Sequence, residues 1–173
     1  MGRSFMSSAT RNRSSRMSNG CQLMAELGVI YPEHEQKHKM VHNDSHKFES
    51  NFVTLEIPKN HSIMFGPLSG SKLGVWVAHG EGKFEFPYEE KEYHIVAKYN
   101  YEGYPANPND SPWSVAGVCS HDGHHLAMMP HPERAIFPWQ CGYYPADCRG
   151  QDKVTPWIEA FVNARKWIEE NKR

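Results

Sequence analysis

His125-Leu-Ala-Met-Met-Pro-His-Pro-Glu-Arg134 carries a short apolar run that stops abruptly at a histidine set between two prolines. Leu126 to Met129 lie between a turn at Asp122-Gly123 and a proline that cannot donate to a ladder. The run therefore predicts a buried strand ending at Pro130. Each proline fixes its own φ and pushes the residue before it out of the helical region. This predicts His131 and Glu133 in an extended loop at the strand end, two residues apart with side chains on one side. A carboxylate beside an imidazole can fix its tautomer and stabilise its protonated form, which is the base-and-orienter half of a nucleophilic triad. A proline-rich turn with a solvated His and Glu has the same local pattern, so from this stretch alone both readings stand.

The chain around it has 173 residues, 39% of them hydrophobic, which is enough for one domain with a real core. A net charge of -1 offers no electrostatic footprint for nucleic acid, and no apolar run approaches the length of a membrane span. Cys21, Cys119, Cys141 and Cys148 lack zinc-knuckle spacing and follow no apolar signal segment, so reduced thiols in a cytoplasmic protein are expected.

Residues 1–17 differ in character from the rest of the chain. They hold Arg3, Arg11, Arg13 and Arg16 among serines, with no acidic residue, and are read as a disordered or foreign leader ahead of a domain spanning 18–173. A transit peptide has a similar composition, but nothing here supplies a spacer for cleavage. From Ser18 the pattern turns globular. Ser18-Asn-Gly-Cys-Gln predicts a tight turn opening a short helix, with Gly28 as the residue that ends it. Cys21 falls in the first turn, where a helix N-terminus can lower a thiol pKa, although a small buried hydrophobe is the commoner role.

His34, His38, His42 and His46 recur every four residues, a spacing that on a helix could bind a transition metal. Asn43-Asp44-Ser45 is turn-like and apolar residues are few, so a solvated connection is expected instead. Beyond Asn51 the chain reads as strands: Val53, Leu55 and Ile57 alternate with polar residues, and Gly74-Val-Trp-Val-Ala is a continuous apolar run that delivers His79-Gly-Glu-Gly82 at its end. Glycines there let backbone approach a ligand, or simply make a turn. Two further strands are expected at residues 95–99 and 115–119, separated by the proline-rich stretch 104–112, which must be a long ordered loop. Near the C-terminus Thr155 can cap, Pro156 suits a first helical position, and Trp157, Phe161, Ala164 and Ile168 fall on one helical face.

Taken together, Asn19-Gly-Cys-Gln, Phe48-Glu-Ser, Leu73-Gly-Val-Trp-Val-Ala-His-Gly-Glu-Gly82, His125 to Arg134 and Asn163-Ala-Arg-Lys-Trp167 resemble the glutaminase domains of the phosphoribosylformylglycinamidine synthase family. These belong to the class I glutamine amidotransferases. The resemblance runs from Ser18 to the C-terminus. It implies an α/β, three-layer flavodoxin-like fold with a Cys-His-Glu triad, which hydrolyses glutamine and passes ammonia to a formylglycinamide ribonucleotide synthetase domain or subunit. It also implies no cofactor in this domain, with ATP and Mg serving the partner.

Carried over residue by residue, His131 and Glu133 match the base and its orienting carboxylate, and Asn19, Gln22 and His79 match substrate-binding positions. The family's elbow reads Gly-x-Cys-Asn-Gly-Cys-Gln with the first cysteine as nucleophile. Here Ser18 occupies that position, and Cys21 matches the second cysteine, a less favoured nucleophile. Asn109-Asp110 stands where Asn-Gly is expected. The apolar strand expected before the elbow is replaced by Arg13-Ser-Ser-Arg16, and nothing in 1–17 resembles the family's first strands or its oxyanion loop. Losing one oxyanion donor alone costs about 100-fold to 1000-fold in rate. The expectation is a partial amidotransferase domain with impaired glutaminase activity, its parallel sheet lacking the first strands. The alternative is a non-catalytic binding module retaining the glutaminase surface, with metal-dependent hydrolysis through the histidine row a distant third.

Overall fold

In a computed structural model that describes residues 16–17 and 19–172, the strand expected at Leu126–Met129 lies inside a six-stranded sheet. The strands are β1 (Arg16–Met17), β3 (Glu49–Glu56), β4 (Lys72–His79), β6 (His94–Tyr99), β7 (Val115–Cys119) and β8 (Leu126–Met128), in the order β1-β8-β7-β6-β3-β4. A two-stranded ribbon pairs β2 (Lys39–Val41) with β5 (Lys83–Glu85). Helix α1 (Asn19–Leu27) follows β1, and α2 (Ile158–Glu170) closes the chain.

β8 shows why the fold has three layers. Its alternate residues enter two different cores. Leu126 and Met128 pack with Trp157 and Ala160 on the α2 side, while Ala127 and Met129 pack with Cys21 and Met24 on the α1 side. A strand whose residues are apolar throughout can be buried on both faces, and that is the state its sequence predicts.

The expected parallel sheet is corrected. Among the described residues only β1 with β8 is parallel, and β8-β7, β7-β6, β6-β3 and β3-β4 are all antiparallel. The β7–β8 connection shows the reason, since a parallel pair needs a crossover of a dozen or more residues and residues 120–125 permit only a hairpin. The boundary of the expected leader also shifts, because Arg16 and Met17 pair with Ala127 and Met128. The rest of that segment, residues 1–15, lies outside the described residues.

Helix α1 ends as expected: Gly28 has φ +65, the left-handed conformation that glycine adopts freely, and its N–H bonds Ala25 O at 3.0 Å. At α2 the Thr155 hydroxyl accepts from the Trp157 N–H at 3.3 Å, but the regular helix begins two residues beyond Pro156. Its seam drifts toward Trp157, Ala160 and Phe161, leaving Ile168 46% exposed rather than on the packed face.

The histidine row forms no helix, and the expected solvated connection is only partly right. Lys39–Val41 pair with β5, His38 is buried against Phe84 and Phe86, and Asn43 is fully buried. Asn43 is held by the loop that comes after β4, a contact across 39 residues of sequence that no local pattern announces.

Candidate active site

Alternating strand directions bring three chain exits to one end of the sheet. β1 and β8 run together, and the antiparallel steps through β7, β6 and β3 give β4 the same sense as β8. The entry to α1, the chain after β8 and the His79-Gly-Glu-Gly82 loop after β4 therefore all leave from carboxyl ends. That is where open α/β sheets bind ligands. β3 pairs with β6 only at Leu55–Tyr99 and Glu56–Lys98, and beyond those pairs the β3–β4 hairpin lies beside the chain after β8. There the His131 N–H donates to Trp76 O at 2.8 Å, bridging β4 to the chain after β8.

His131 and Glu133 do meet, but on a 3-10 turn (Pro132–Arg134) rather than in extended chain. Pro132 supplies the first position of that turn, and Arg134 N–H closes it onto His131 O at 3.0 Å. His131 Nδ1 lies 2.7 Å from Glu133 Oε1. Because a carboxylate can only accept, Nδ1 carries the hydrogen and the Nε2 lone pair is left to take a proton. Partial burial pushes the Glu133 carboxyl up. The His131 hydrogen bond, its own backbone N–H and Arg134 outweigh this and hold it below the usual carboxylate range. The pair is thus a histidine oriented by an ionised carboxylate, as a general base requires.

The loop after β4 is fixed by three amides. Asn43 donates to His79 O at 2.8 Å and accepts from the Gly82 N–H at 2.9 Å. Asn109 donates to Gly82 O at 2.5 Å and to the Tyr99 hydroxyl at 3.2 Å. Gln22, from the first turn of α1, donates to Glu81 O at 3.1 Å and to Glu81 Oε2 at 3.3 Å. Asp110 then occupies φ 58, a left-handed position that explains the glycine expected there and that aspartate tolerates better than most residues.

His79 is 3% exposed, and neither ring nitrogen has a hydrogen-bond partner. Burial lowers its pKa to about 4, and nearby His131 acts in the same sense, opposed by its own backbone and by Glu49. A Cβ at Gly82 would fall onto this ring, so Gly82 must lack one for the loop to close. Gly82→Ala is expected to cost about 1–3 kcal/mol in denaturant unfolding. Gly103→Ala, where no atom lies within 4 Å, should leave the midpoint unchanged. Equal effects of the two would show that the His79 contact is not what matters.

Of the residues singled out in the sequence, His131, Glu133, His79 and Gln22 are brought to this end of the sheet, with Asn19 opening α1 beside them. Cys21 is not available as a nucleophile. It is fully buried, and burial pushes its thiol far above the usual range. Ser18 lies outside the described residues, between β1 and α1. Sequence reasoning missed Asn43 and Asn109 as loop braces and Glu49 as a buried carboxylate. The only local signal for Asn43 was its place in a turn, where an amide can satisfy several backbone groups at once.

Residues 16–168 match the CobB/CobQ-like glutamine amidotransferase domain family. The chain is 43% identical over 170 residues to a relative from Arabidopsis thaliana named "Probable phosphoribosylformylglycinamidine synthase, chloroplastic/mitochondrial", covering 87% of this chain and 12% of that protein. It is 38% identical over 180 residues to the phosphoribosylformylglycinamidine synthase of Homo sapiens, covering 88% of this chain and 13% of the relative. The chain thus spans only a small part of the length of these relatives. PurLQS from Thermotoga maritima aligns with a TM-score of 0.64 at 24% identity, covering 89% of this chain and 61% of that one, which shows the fold.

Proposed function

This chain belongs to the CobB/CobQ-like glutamine amidotransferase domain family, and from that premise we propose that it is the glutaminase part of a phosphoribosylformylglycinamidine synthase. Glutamine is bound at the carboxyl ends of β1, β8 and β4. A nucleophile at the elbow attacks the amide carbon, His131 takes the proton and returns it to the leaving ammonia, water deprotonated by the same histidine then cleaves the acyl bond to release glutamate, and Glu133 holds the imidazole and its positive charge. The ammonia passes to a synthetase domain or subunit, where ATP and Mg drive amidation of formylglycinamide ribonucleotide. No cofactor is assigned to the glutaminase part itself.

The observation that carries this reading is the 2.7 Å His131–Glu133 pair, tied through Trp76 to the strand that ends in the His79-Gly-Glu-Gly82 loop. Ser18, in place of the family's cysteine, impairs turnover. It also favours a second reading, a non-catalytic binding module that keeps the docking surface. A cytoplasmic location accompanies either reading, with support from four free cysteines. Among the described residues no helix is long and apolar enough to cross a membrane.

The test is competition for a synthase core from which its own glutaminase part has been removed. Binding to that core, together with heat on titration with L-glutamine, is expected for the glutaminase. Binding to the core without glutamine binding identifies the module. Failure of both removes the proposal.

A further inference from the structure

In β4, Val75 and Val77 enter the core on the α2 side, so the side chain of Trp76 between them turns to the opposite face. A half-buried indole there needs a surface to lie against and a partner for its N–H, and it has both. The ring stands edge-on to Phe52, directly across the β3–β4 ladder, with centroids 5.1 Å apart, and Nε1 donates to Gln140 O at 2.7 Å. Gln140 lies at the far end of the segment that begins at His131, whose own N–H reaches the carbonyl of the same tryptophan at 2.8 Å. Trp76 thus joins the hairpin to residues 131–140 through both of its polar groups, with Glu133 between the two ties.

We propose that Trp76 is a positioning residue for the His131–Glu133 pair: its carbonyl and its indole N–H together clamp the segment that carries the pair against the β3–β4 hairpin. The inference rests on reading His131 as the base. A single hydrogen bond is a pivot, whereas two at opposite ends of a segment also fix its angle. The segment is short of slack between those ends. Two 3-10 turns, Pro132–Arg134 and Pro138–Gln140, are closed by Arg134 N–H on His131 O at 3.0 Å and by Gln140 N–H on Phe137 O at 2.9 Å, and the Gln140 side chain accepts from Phe137 N–H at 3.0 Å. The clamp keeps water from the base, since the His131 side chain is only 7% exposed. Thr155 N–H, donating to Ile136 O at 2.7 Å, ties the same segment to the start of α2. Loss of the indole bond therefore leaves the segment attached to the domain but able to tilt away from β4, opening the 2.7 Å His131–Glu133 contact to water.

The experiment follows two protons of His131 by NMR, the ring Nδ1–H and the backbone N–H, with His131→Asn identifying them. Trp76→Phe keeps an aromatic ring and the backbone carbonyl and removes only the indole donor. Exchange of both protons with water is expected to become roughly threefold to tenfold faster, the factor that one net hydrogen bond supplies. Phe52→Leu trims the ring packed on the indole but keeps the N–H, and should leave both rates unchanged. Unchanged exchange in folded Trp76→Phe overturns the proposal. Equal acceleration in Phe52→Leu overturns it too, because packing rather than the hydrogen bond would then hold the segment. If Trp76→Phe does not fold, the analogue of tryptophan with sulfur in place of the indole N–H is put at position 76. The same acceleration is expected from it, and its absence overturns the idea. Neither readout needs turnover or the synthase core, so failure here is distinct from failure of the proposed function.

Discussion

Purified and given glutamine, the unmodified chain is expected to release ammonia at background rate, and a glutamine-analogue electrophile should leave position 18 unlabelled. Ser18→Cys should take labelling from none to one per chain while ammonia release recovers little, since a thiol alone supplies no oxyanion donor. The reason lies in the nucleophile rather than the base. His131 and Glu133 stand 2.7 Å apart with Nε2 left to receive a proton, so the proton-accepting half is assembled. A thiol beside such a base and a helix N-terminus becomes a thiolate near neutral pH, whereas a serine hydroxyl is far harder to ionise. Cys21 cannot substitute. It sits among Met24, Ile30 and Tyr31 with no exposed surface, and burial raises its pKa far beyond the physiological range. Turnover in the unmodified chain that vanishes in Cys21→Ala would show the nucleophile to be misplaced. Labelling that fails to appear in Ser18→Cys would show that the elbow does not bring residue 18 to His131.

The second large effect is on stability in mild acid. Burial lowers both His38 and His79 to about 4, while an unfolded chain returns histidine to about 6.5. Between these values the unfolded state binds the extra protons. The contribution of each histidine is therefore complete above pH 6.5 and is lost as pH falls toward 4. Each accounts for about 3 kcal/mol over that window, comparable in sum to the whole stability of many domains. The urea midpoint should fall steeply between pH 6.5 and 4, and the chain should be close to unfolding at the lower end. His38→Phe, which suits a site walled by Phe84 and Phe86, should remove about half of that slope. Glu133 and Asp122, whose carboxyls are held low, lose their contributions as pH falls through the ordinary carboxylate range and below it, so they add to the loss only at the acid end of this window. A urea midpoint that is flat from pH 7 to 4.5 would refute the assignment.

Local rules reach the parts of this protein whose causes are local. Gly28 ends α1 because a left-handed residue is needed there, and Pro130 ends β8 because it cannot donate. Leu126–Met129 are apolar throughout because both faces of their strand are covered, and a proline on each side of His131 sets it on a turn with Glu133. The motifs from Asn19 to Trp167 are enough to name the family. Strand direction is where the family resemblance misleads, because it suggests a parallel sheet while the six-residue β7–β8 loop already requires a hairpin.

What the sequence by itself determined is which segments pair with water and which with a core, and which residue types can do acid–base work. Only the tertiary structure decided that β4 returns beside β8, so that Trp76 holds His131, and that Asn43 and Asn109 lock the loop at Gly82. Only it decided that Glu49 ends up dry opposite His79, while Cys21 is sealed inside the α1 layer. These contacts join residues tens of positions apart. Their identity depends on how a sheet curls and which faces close over it, and no window of a few residues contains that information.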